Sequence, residues 1–235
     1  MFIFTIFIII TCLSIAFVQQ IIAPLLARCV MGDAPSALLW LFNKCYVRLV
    51  HHVRPFGTDI IPRGLYPGKL IVVCNHQSPI DPLLVQSQCR FKIRWLMAKE
   101  FMSQSLDFVW RNAEIISVAR DGNDSAGLRV ALKHLKNNGV IGIFPEAGIK
   151  EPREAIHPFS DGVGAMIAHT NAPVLLAMVD GTPSNDEMAD AIFERSSSIV
   201  RFIDLIQYPK DATKNEITDD IRNRLSQATG WPLVE

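Results

Sequence analysis

Apolar and polar positions divide the chain into an apolar first segment and a longer part in which short apolar runs alternate with helical patterns. The first segment covers residues 1–27 and has no charged side chain, and Arg28 is the first charged residue. At about 1.5 Å per residue, a helix of this length is long enough to cross the roughly 30 Å hydrocarbon core of a bilayer. We therefore expect a retained membrane helix here.

Two other interpretations of the first segment fit the pattern less well. A signal peptide would carry a positive n-region and a small-residue cleavage site, and residues 1–27 show neither. A buried core helix would have to be apolar on every face, which is uncommon in a soluble domain.

An amphipathic helix is predicted next, over residues 36–55. It either lies at a membrane interface, where Trp40 and Tyr46 suit the headgroup zone, or packs on the core as an ordinary surface helix. The neighbouring apolar segment favours the interface. Because basic residues follow that segment, the positive-inside rule places the rest of the chain in the cytoplasm. The apolar side of the helix carries Leu38, Leu41, Phe42, Cys45 and Leu49, whereas Lys44, Arg48, His51 and His52 lie largely elsewhere.

The rest of the chain alternates β-branched runs with helical patterns. Strands alternating with helices imply an α/β fold, with a largely parallel central sheet flanked by helices. We expect the N-terminal helices to occupy residues 1–55 and this second domain to occupy residues 56–235. Strands are predicted over residues 69–74, 93–98, 114–119, 140–144, 173–179 and 198–204, and helices over residues 81–88, 125–136, 159–169, 184–194 and 215–227.

Charge and cysteine content exclude several classes of function. The 23 basic and 23 acidic side chains cancel, so no overall field points to a nucleic-acid partner. The five cysteines are scattered and odd in number, which argues against a disulfide framework and against a structural zinc site. A reducing, cytosol-facing location fits this pattern.

Three polar clusters each follow a predicted strand. They read NHQSPID from residue 75, RDGND from residue 120 and PEAGIK from residue 145. Because the carboxyl ends of parallel strands meet at one edge of a sheet, we expect the His, Asp, Arg and Glu side chains of these clusters to share a site.

His76 and Asp81 are the candidates for acid–base chemistry. An imidazole can take a proton from a hydroxyl if an acceptor such as a carboxylate holds its other ring nitrogen. A turn through Ser78 and Pro79 would let the two side chains face each other, and the attacking hydroxyl would then belong to the substrate. The alternative is a histidine satisfied by local hydrogen bonds, with Asp81 capping a helix.

The ordered motifs resemble those of the glycerolipid acyltransferases, the family of 1-acylglycerol-3-phosphate O-acyltransferases. NHQSPIDP matches the H-x-x-x-x-D signature, and IISVARD, IFPEAG and APVLLAMVDG resemble the second, third and fourth blocks in family order. The resemblance covers about residues 57–182. It implies a membrane-bound enzyme that transfers a fatty acyl group to a lysophospholipid hydroxyl, with residues 56–235 as the acyltransferase catalytic domain.

The family roles map onto individual residues of this chain. The resemblance implies that His76 is the general base, that Asp81 orients it and that Arg120 binds an anionic group of the acceptor. Glu146 would position the substrate or the catalytic turn, and backbone amides near Ala147 and Gly148 would stabilise the oxyanion. The acyl donor would be acyl-CoA or acyl carrier protein, and the family requires no metal or other cofactor.

The third block departs from the family pattern F-P-E-G-T-R. Ile149 stands where the family has an arginine associated with the acceptor phosphate, and Lys150 follows it. Lys150 is therefore the candidate substitute for phosphate binding. The expected acceptor is 1-acylglycerol-3-phosphate, which would give phosphatidic acid. Another lysolipid headgroup, or a binding or hydrolytic relative, remains an alternative.

Overall fold

A computed structural model describes residues 2–102, 107–118 and 125–234. Within these residues seven strands form one sheet in the order β1-β7-β6-β2-β5-β3-β4. Neighbouring strands pair in parallel except β6 and β7, which are antiparallel. The predicted α/β fold is confirmed. The strands are β1 Arg54–Phe56, β2 Leu70–Cys74, β3 Arg94–Ala98, β4 Ile116–Val118, β5 Val140–Ile143, β6 Val174–Asp180 and β7 Ile199–Ile206.

Helices cover both faces of this sheet. One face packs α3, α4 and α8 against β2 and β6, and the other packs α6, α7 and α9. The central strand β2 is therefore enclosed on both sides, and its five residues are all buried. The helices are α1 Phe2–Phe17, α2 Ala23–Ala27, α3 Ala34–Leu49, α4 Asp81–Gln86, α5 Asp107–Asn112, α6 Ser125–Lys136, α7 Asp161–Thr170, α8 Met188–Phe193 and α9 Lys214–Thr229, with a π-helical segment Val18–Ile22 and a 3₁₀ turn Lys99–Phe101.

Two short elements were not predicted. β1 pairs with β7 at the sheet edge, and its three residues are exposed, so they carry no apolar pattern. The helix α5 has only six residues. The predicted boundary between residues 55 and 56 falls inside β1.

The apolar first segment forms one nearly continuous helix. Over Phe4–Ala27 it is long and apolar enough to cross a membrane, and almost none of it is buried against the rest of the protein. Its end packs on α3 through a small cluster that includes Ala27, Val30, Met31 and Ala37. Length and apolar composition are thus as expected for a membrane helix.

The amphipathic helix α3 turns its apolar side away from the protein. Its buried residues are Ser36, Ala37 and Val47, whereas Phe42 is 73% exposed and Leu49 is 71% exposed. Trp40 attaches the helix to the end of α4, because its Nε1 donates to the backbone carbonyls of Gln86 at 3.2 Å and of Cys89, just after α4, at 2.9 Å. The arrangement differs from that of an ordinary surface helix, which would bury its apolar stripe.

Candidate active site

His76 and Asp81 form a hydrogen-bonded pair at the carboxyl end of β2. The distance from His76 Nδ1 to Asp81 Oδ2 is 2.9 Å. The same carboxylate oxygen accepts hydrogen bonds from the backbone amides of Gln77 at 2.7 Å and Ser78 at 2.8 Å. Because this oxygen only accepts, Nδ1 carries the proton and Nε2 keeps its lone pair. The imidazole is thereby prepared to take a proton at Nε2.

The local sequence explains how the chain turns there. Asn75 is fully buried, and its side-chain amide pairs with both the N–H and the C=O of Val179, at 2.8 and 3.0 Å. The Asn75 side chain thus extends the hydrogen-bond ladder between β2 and β6 by one more pair. His76, the next residue, therefore begins the turn from a fixed position. Pro82 lies in the first turn of α4, where a missing N–H leaves no hydrogen bond unmade.

Asp81 is the first residue of α4 and is fully buried. Its carboxylate closes the turn by binding the preceding amides. The Ser78 hydroxyl is buried and has no hydrogen-bond partner among the described residues, so it does not cap the turn. His76 is the more accessible member of the pair, with a side chain that is 17% exposed. Substrate can therefore reach the imidazole and not the carboxylate.

Glu146 lies beside this pair. β5 pairs with β2 so that Ile143 is opposite Val73, and the residues after each strand come together. Glu146 is 2% exposed, and neither carboxylate oxygen has a hydrogen-bond partner in the described part of the chain. Burial, and secondarily the charge of Asp81, raises the Glu146 pKa to about 8, against the opposing effects of the His76 amide and the Lys150 and Arg222 charges. A protonated carboxyl is therefore available as a hydrogen-bond donor at neutral pH.

Three aromatic rings form a stack that begins with His76. The His76 ring lies on Phe144, with centroids 4.1 Å apart and planes at 17°. Phe144 lies in turn on Trp95, with centroids 4.8 Å apart and planes at 12°. Gly142 makes room for this stack, because a Cβ there would stand 2.3 Å from the indole of Trp95. The stack fixes the plane of the imidazole ring and therefore the direction in which Nε2 points.

The other residues of the third block differ in whether their polar groups already have hydrogen-bond partners. The amide of Ala147 donates to the Phe144 carbonyl at 3.2 Å, so it is already engaged. Gly148 has a φ of 152°, and its amide has no hydrogen-bond partner among the residues described. Lys150 is exposed, and its charge favours the carboxylate form of Glu146. The predicted acceptor ligand Arg120 lies outside the described residues.

Arg153 is a site residue that sequence reasoning missed. Its guanidinium donates to the carbonyls of Gln77 at 2.7 Å and Pro183 at 3.3 Å. It also contacts the carboxylates of Asp186 at 2.6 Å and Glu151 at 3.1 Å. Arg153 therefore joins the turn that carries His76 to the segment after β6. No local pattern marks it, because its partners other than Glu151 are distant in sequence.

Comparison with known proteins gives two findings. The model of a family described as Acyltransferase matches residues 52–179, which include every predicted site residue. The structure is also similar to the crystal structure of the 1-acyl-sn-glycerophosphate (LPA) acyltransferase PlsC from Thermotoga maritima. That similarity has a TM-score of 0.68 and 17% sequence identity, and it covers 94% of this chain and 91% of the other. At this identity, the likeness to PlsC concerns the fold.

Proposed function

Since this chain belongs to the Acyltransferase family, we propose that it is a membrane-bound O-acyltransferase that acylates the free hydroxyl of a lysophospholipid. The donor is acyl-CoA or acyl carrier protein, and the first acceptor to test is 1-acylglycerol-3-phosphate. One observation carries the proposal. A partly exposed imidazole is oriented by a buried carboxylate at 2.9 Å, with its Nε2 left to accept a proton.

The reaction needs no acyl-enzyme. The acceptor hydroxyl oxygen attacks the thioester carbonyl carbon while Nε2 of His76 takes the hydroxyl proton. Collapse of the tetrahedral intermediate breaks the carbon–sulfur bond. The departing thiolate then receives the proton from Nε2, which leaves His76 neutral again. The buried charge of Asp81 stabilises the imidazolium between these two steps.

Hydrogen-bond donors near the base suit the negative charge that develops on the carbonyl oxygen. The Gly148 amide has no partner among the described residues, whereas the Ala147 amide is occupied. We assign the oxyanion contact to Gly148. Glu146, whose carboxyl oxygens are buried and whose pKa is about 8, is assigned to positioning the catalytic turn in its protonated form.

The acceptor headgroup is proposed to meet Arg120 and Lys150. A guanidinium binds phosphate through paired hydrogen bonds, and Lys150 is an exposed cation beside the third block. Ile149, at the position of the family arginine, favours a second candidate acceptor with a different headgroup, such as lysophosphatidylethanolamine.

The N-terminal region is proposed to hold the enzyme on the membrane. The bilayer-length helix and the outward apolar side of α3 both support this. We assign residues 1–55 to the anchor and residues 56–235 to the catalytic domain, with β1 joining the two. The basic residues after the apolar helix support a cytoplasmic orientation.

An acyl-transfer assay tests the proposal. Purified full-length protein is incubated with radiolabelled acyl-CoA or acyl carrier protein and a panel of lysolipids, and diacyl product and free fatty acid are both quantified. Transfer by the wild type and its loss in His76→Ala are expected. Free fatty acid without diacyl product, at the same rate with and without lysolipid, would overturn the transferase assignment in favour of thioester hydrolysis.

The headgroup is decided by the Lys150→Ala variant. Its KM is compared with that of the wild type on lysophosphatidic acid and on lysophosphatidylethanolamine. A rise on lysophosphatidic acid alone supports a phosphate contact at Lys150. If lysophosphatidic acid is a good substrate and neither Arg120→Ala nor Lys150→Ala changes its KM, the assigned phosphate site is wrong.

A further inference from the structure

A large apolar side chain outside the N-terminal helices is exposed beside α3. Phe193, the last residue of α8, is 83% exposed. It follows Ile192, whose carbonyl oxygen accepts a hydrogen bond from the Tyr46 hydroxyl of α3 at 2.7 Å. Sequence reasoning treated α8 as an ordinary helix of the catalytic domain, since nothing in its sequence marks Phe193 as different.

The position of Tyr46 on α3 places α8 beside the exposed apolar side of that helix. Phe42 is four residues before Tyr46 and Leu49 is three residues after it, so all three lie on neighbouring rows of one helix surface. The contact from Tyr46 to Ile192 therefore leaves Phe193 next to the rows of Phe42 and Leu49. We call these three exposed side chains, Phe42, Leu49 and Phe193, the apolar ridge.

Burial on the opposite side of each element keeps the ridge in place. Val47 of α3 and Ala191 of α8 are both fully buried in the same core cluster. A second polar connection joins the segments, because His51 at the end of α3 is hydrogen-bonded to Tyr46 at 2.8 Å and to Ser196 at 3.0 Å. The ridge is thus a rigid surface of two packed elements.

Two features of the surroundings identify a lipid surface as the partner. The helix that is long enough to cross a bilayer ends in α2, which packs on the first turns of α3, the helix that carries Phe42 and Leu49. Arg48 is exposed on a flank of α3, so its guanidinium can reach lipid phosphates while the ridge enters the apolar layer.

We propose that Phe193 enters the bilayer interface together with Phe42 and Leu49, which makes the β6–β7 connection a membrane contact of the catalytic domain in addition to the N-terminal anchor. This inference rests on the proposed membrane-bound acyltransferase. It bears on catalysis because Arg153 binds Pro183 and Asp186 in the same connection and Gln77 in the turn after His76. A bilayer contact at Phe193 therefore brings the catalytic turn to the surface in which a lysolipid acceptor lies.

Site-directed fluorescence in vesicles tests the contact with the full chain. The exposed cysteines Cys12, Cys29 and Cys45 are replaced by alanine. Cys74 and Cys89 stay, because both are fully buried and burial raises their thiol pKa values. An environment-sensitive nitrobenzoxadiazole probe is attached to Phe193→Cys. The protein is then reconstituted into phosphatidylcholine–phosphatidylglycerol vesicles with and without a spin-labelled quencher lipid.

Two matched positions calibrate the signal. Leu49→Cys on the ridge is the positive reference. Leu128→Cys is the negative control, since Leu128 is 44% exposed on α6, which packs on the opposite face of the sheet. We expect the probe at 193 to show a blue shift and a loss of fluorescence comparable to those at 49, with neither effect at 128. A probe at 193 that behaves like the probe at 128 would overturn the proposal.

Activity measurements separate this inference from the proposed function. Quenching at 193 in a protein without acyl transfer refutes the enzyme assignment and supports the contact. Acyl transfer without quenching at 193 refutes the contact alone. In an active enzyme, Phe193→Ser should raise the apparent KM for a bilayer-embedded acceptor relative to Leu128→Ser, and equal KM values in the two variants would contradict the catalytic role of the contact.

Discussion

Arg153 donates a hydrogen bond through Nη1 to the carbonyl oxygen of Gln77 at 2.7 Å, so a residue beyond the third block supports the turn that carries His76. The carbonyl belongs to the residue directly after His76. Because Gln77 also donates its amide to Asp81, the guanidinium and the carboxylate hold the same peptide segment from two sides. The orientation of His76 therefore depends on a long-range contact as well as on its local partner.

Replacing Arg153 should lower turnover more than substrate affinity. A hydrogen bond to a charged group contributes about 1.5–3 kcal/mol, so Arg153→Ala should reduce kcat by roughly ten-fold or more while KM for the acyl donor stays near the wild-type value. Arg153→Lys should recover only part of kcat, because an ammonium cannot span the same set of acceptors. Steady-state kinetics measure both constants. Arg63→Ala, at an exposed position, is the control, and a wild-type kcat in Arg153→Ala would refute this positioning role.

His76→Ala should remove nearly all acyl transfer, because no other described residue holds a proton acceptor in the place of Nε2. Asp81→Asn should lower kcat by about 10²–10⁴, since a neutral amide cannot stabilise an imidazolium and can turn its NH₂ group toward Nδ1, which selects the wrong tautomer. Circular dichroism before the assay verifies that each variant is folded. A folded His76→Ala enzyme with the wild-type rate would contradict the mechanism.

Phe144→Leu should slow the reaction, because the imidazole ring of His76 would be held less firmly in one orientation. An aromatic pair contributes about 0.5–1.5 kcal/mol beyond its buried area, which corresponds to a decrease in kcat of roughly two- to ten-fold. Phe144→Tyr keeps the ring and should retain more activity. Phe159→Leu is a matched control, because Phe159 is partly buried in the core cluster on the other face of the sheet. Equal kcat values for Phe144→Leu and Phe159→Leu would argue against the stack.

Glu146 should make the protein less stable as pH rises. Its pKa is raised from 4.5 to about 8 in the folded state, so the folded protein binds more protons than the unfolded chain between these values. The free energy of unfolding then falls with increasing pH in this window, by at most about 1.4 kcal/mol per pH unit, and levels off above it. Glu146→Gln cannot titrate and should lack this contribution.

Thermal unfolding in detergent from pH 5 to pH 9 measures the effect. The Tm of the wild type minus that of Glu146→Gln should decrease from pH 5 to pH 9. Taking this difference cancels the contributions of the groups that titrate in both proteins. A difference that stays constant with pH would show that Glu146 titrates at its ordinary pKa.

Local patterns in the sequence were sufficient for most elements and for the proximity of His76 and Asp81. The amphipathic helix α6 has the predicted bounds, Ser125–Lys136, because its apolar spacing and the NNG stop act over a few residues. His76 and Asp81 lie five positions apart, so a single turn brings them together. The apolar first segment is identified by composition alone.

Tertiary structure decided the features that depend on distant parts of the chain. β1 is a strand only because β7 offers an edge about 145 residues further on, where Arg54 pairs with Ile199. Arg153 and the ring stack of Trp95 on Phe144 are likewise long-range contacts, and the outward apolar side of α3 follows from which of its faces packs on α4. In a single sequence the two members of such a contact are separate positions with nothing to link them. They come together only in the folded protein, because close packing of the core excludes other arrangements.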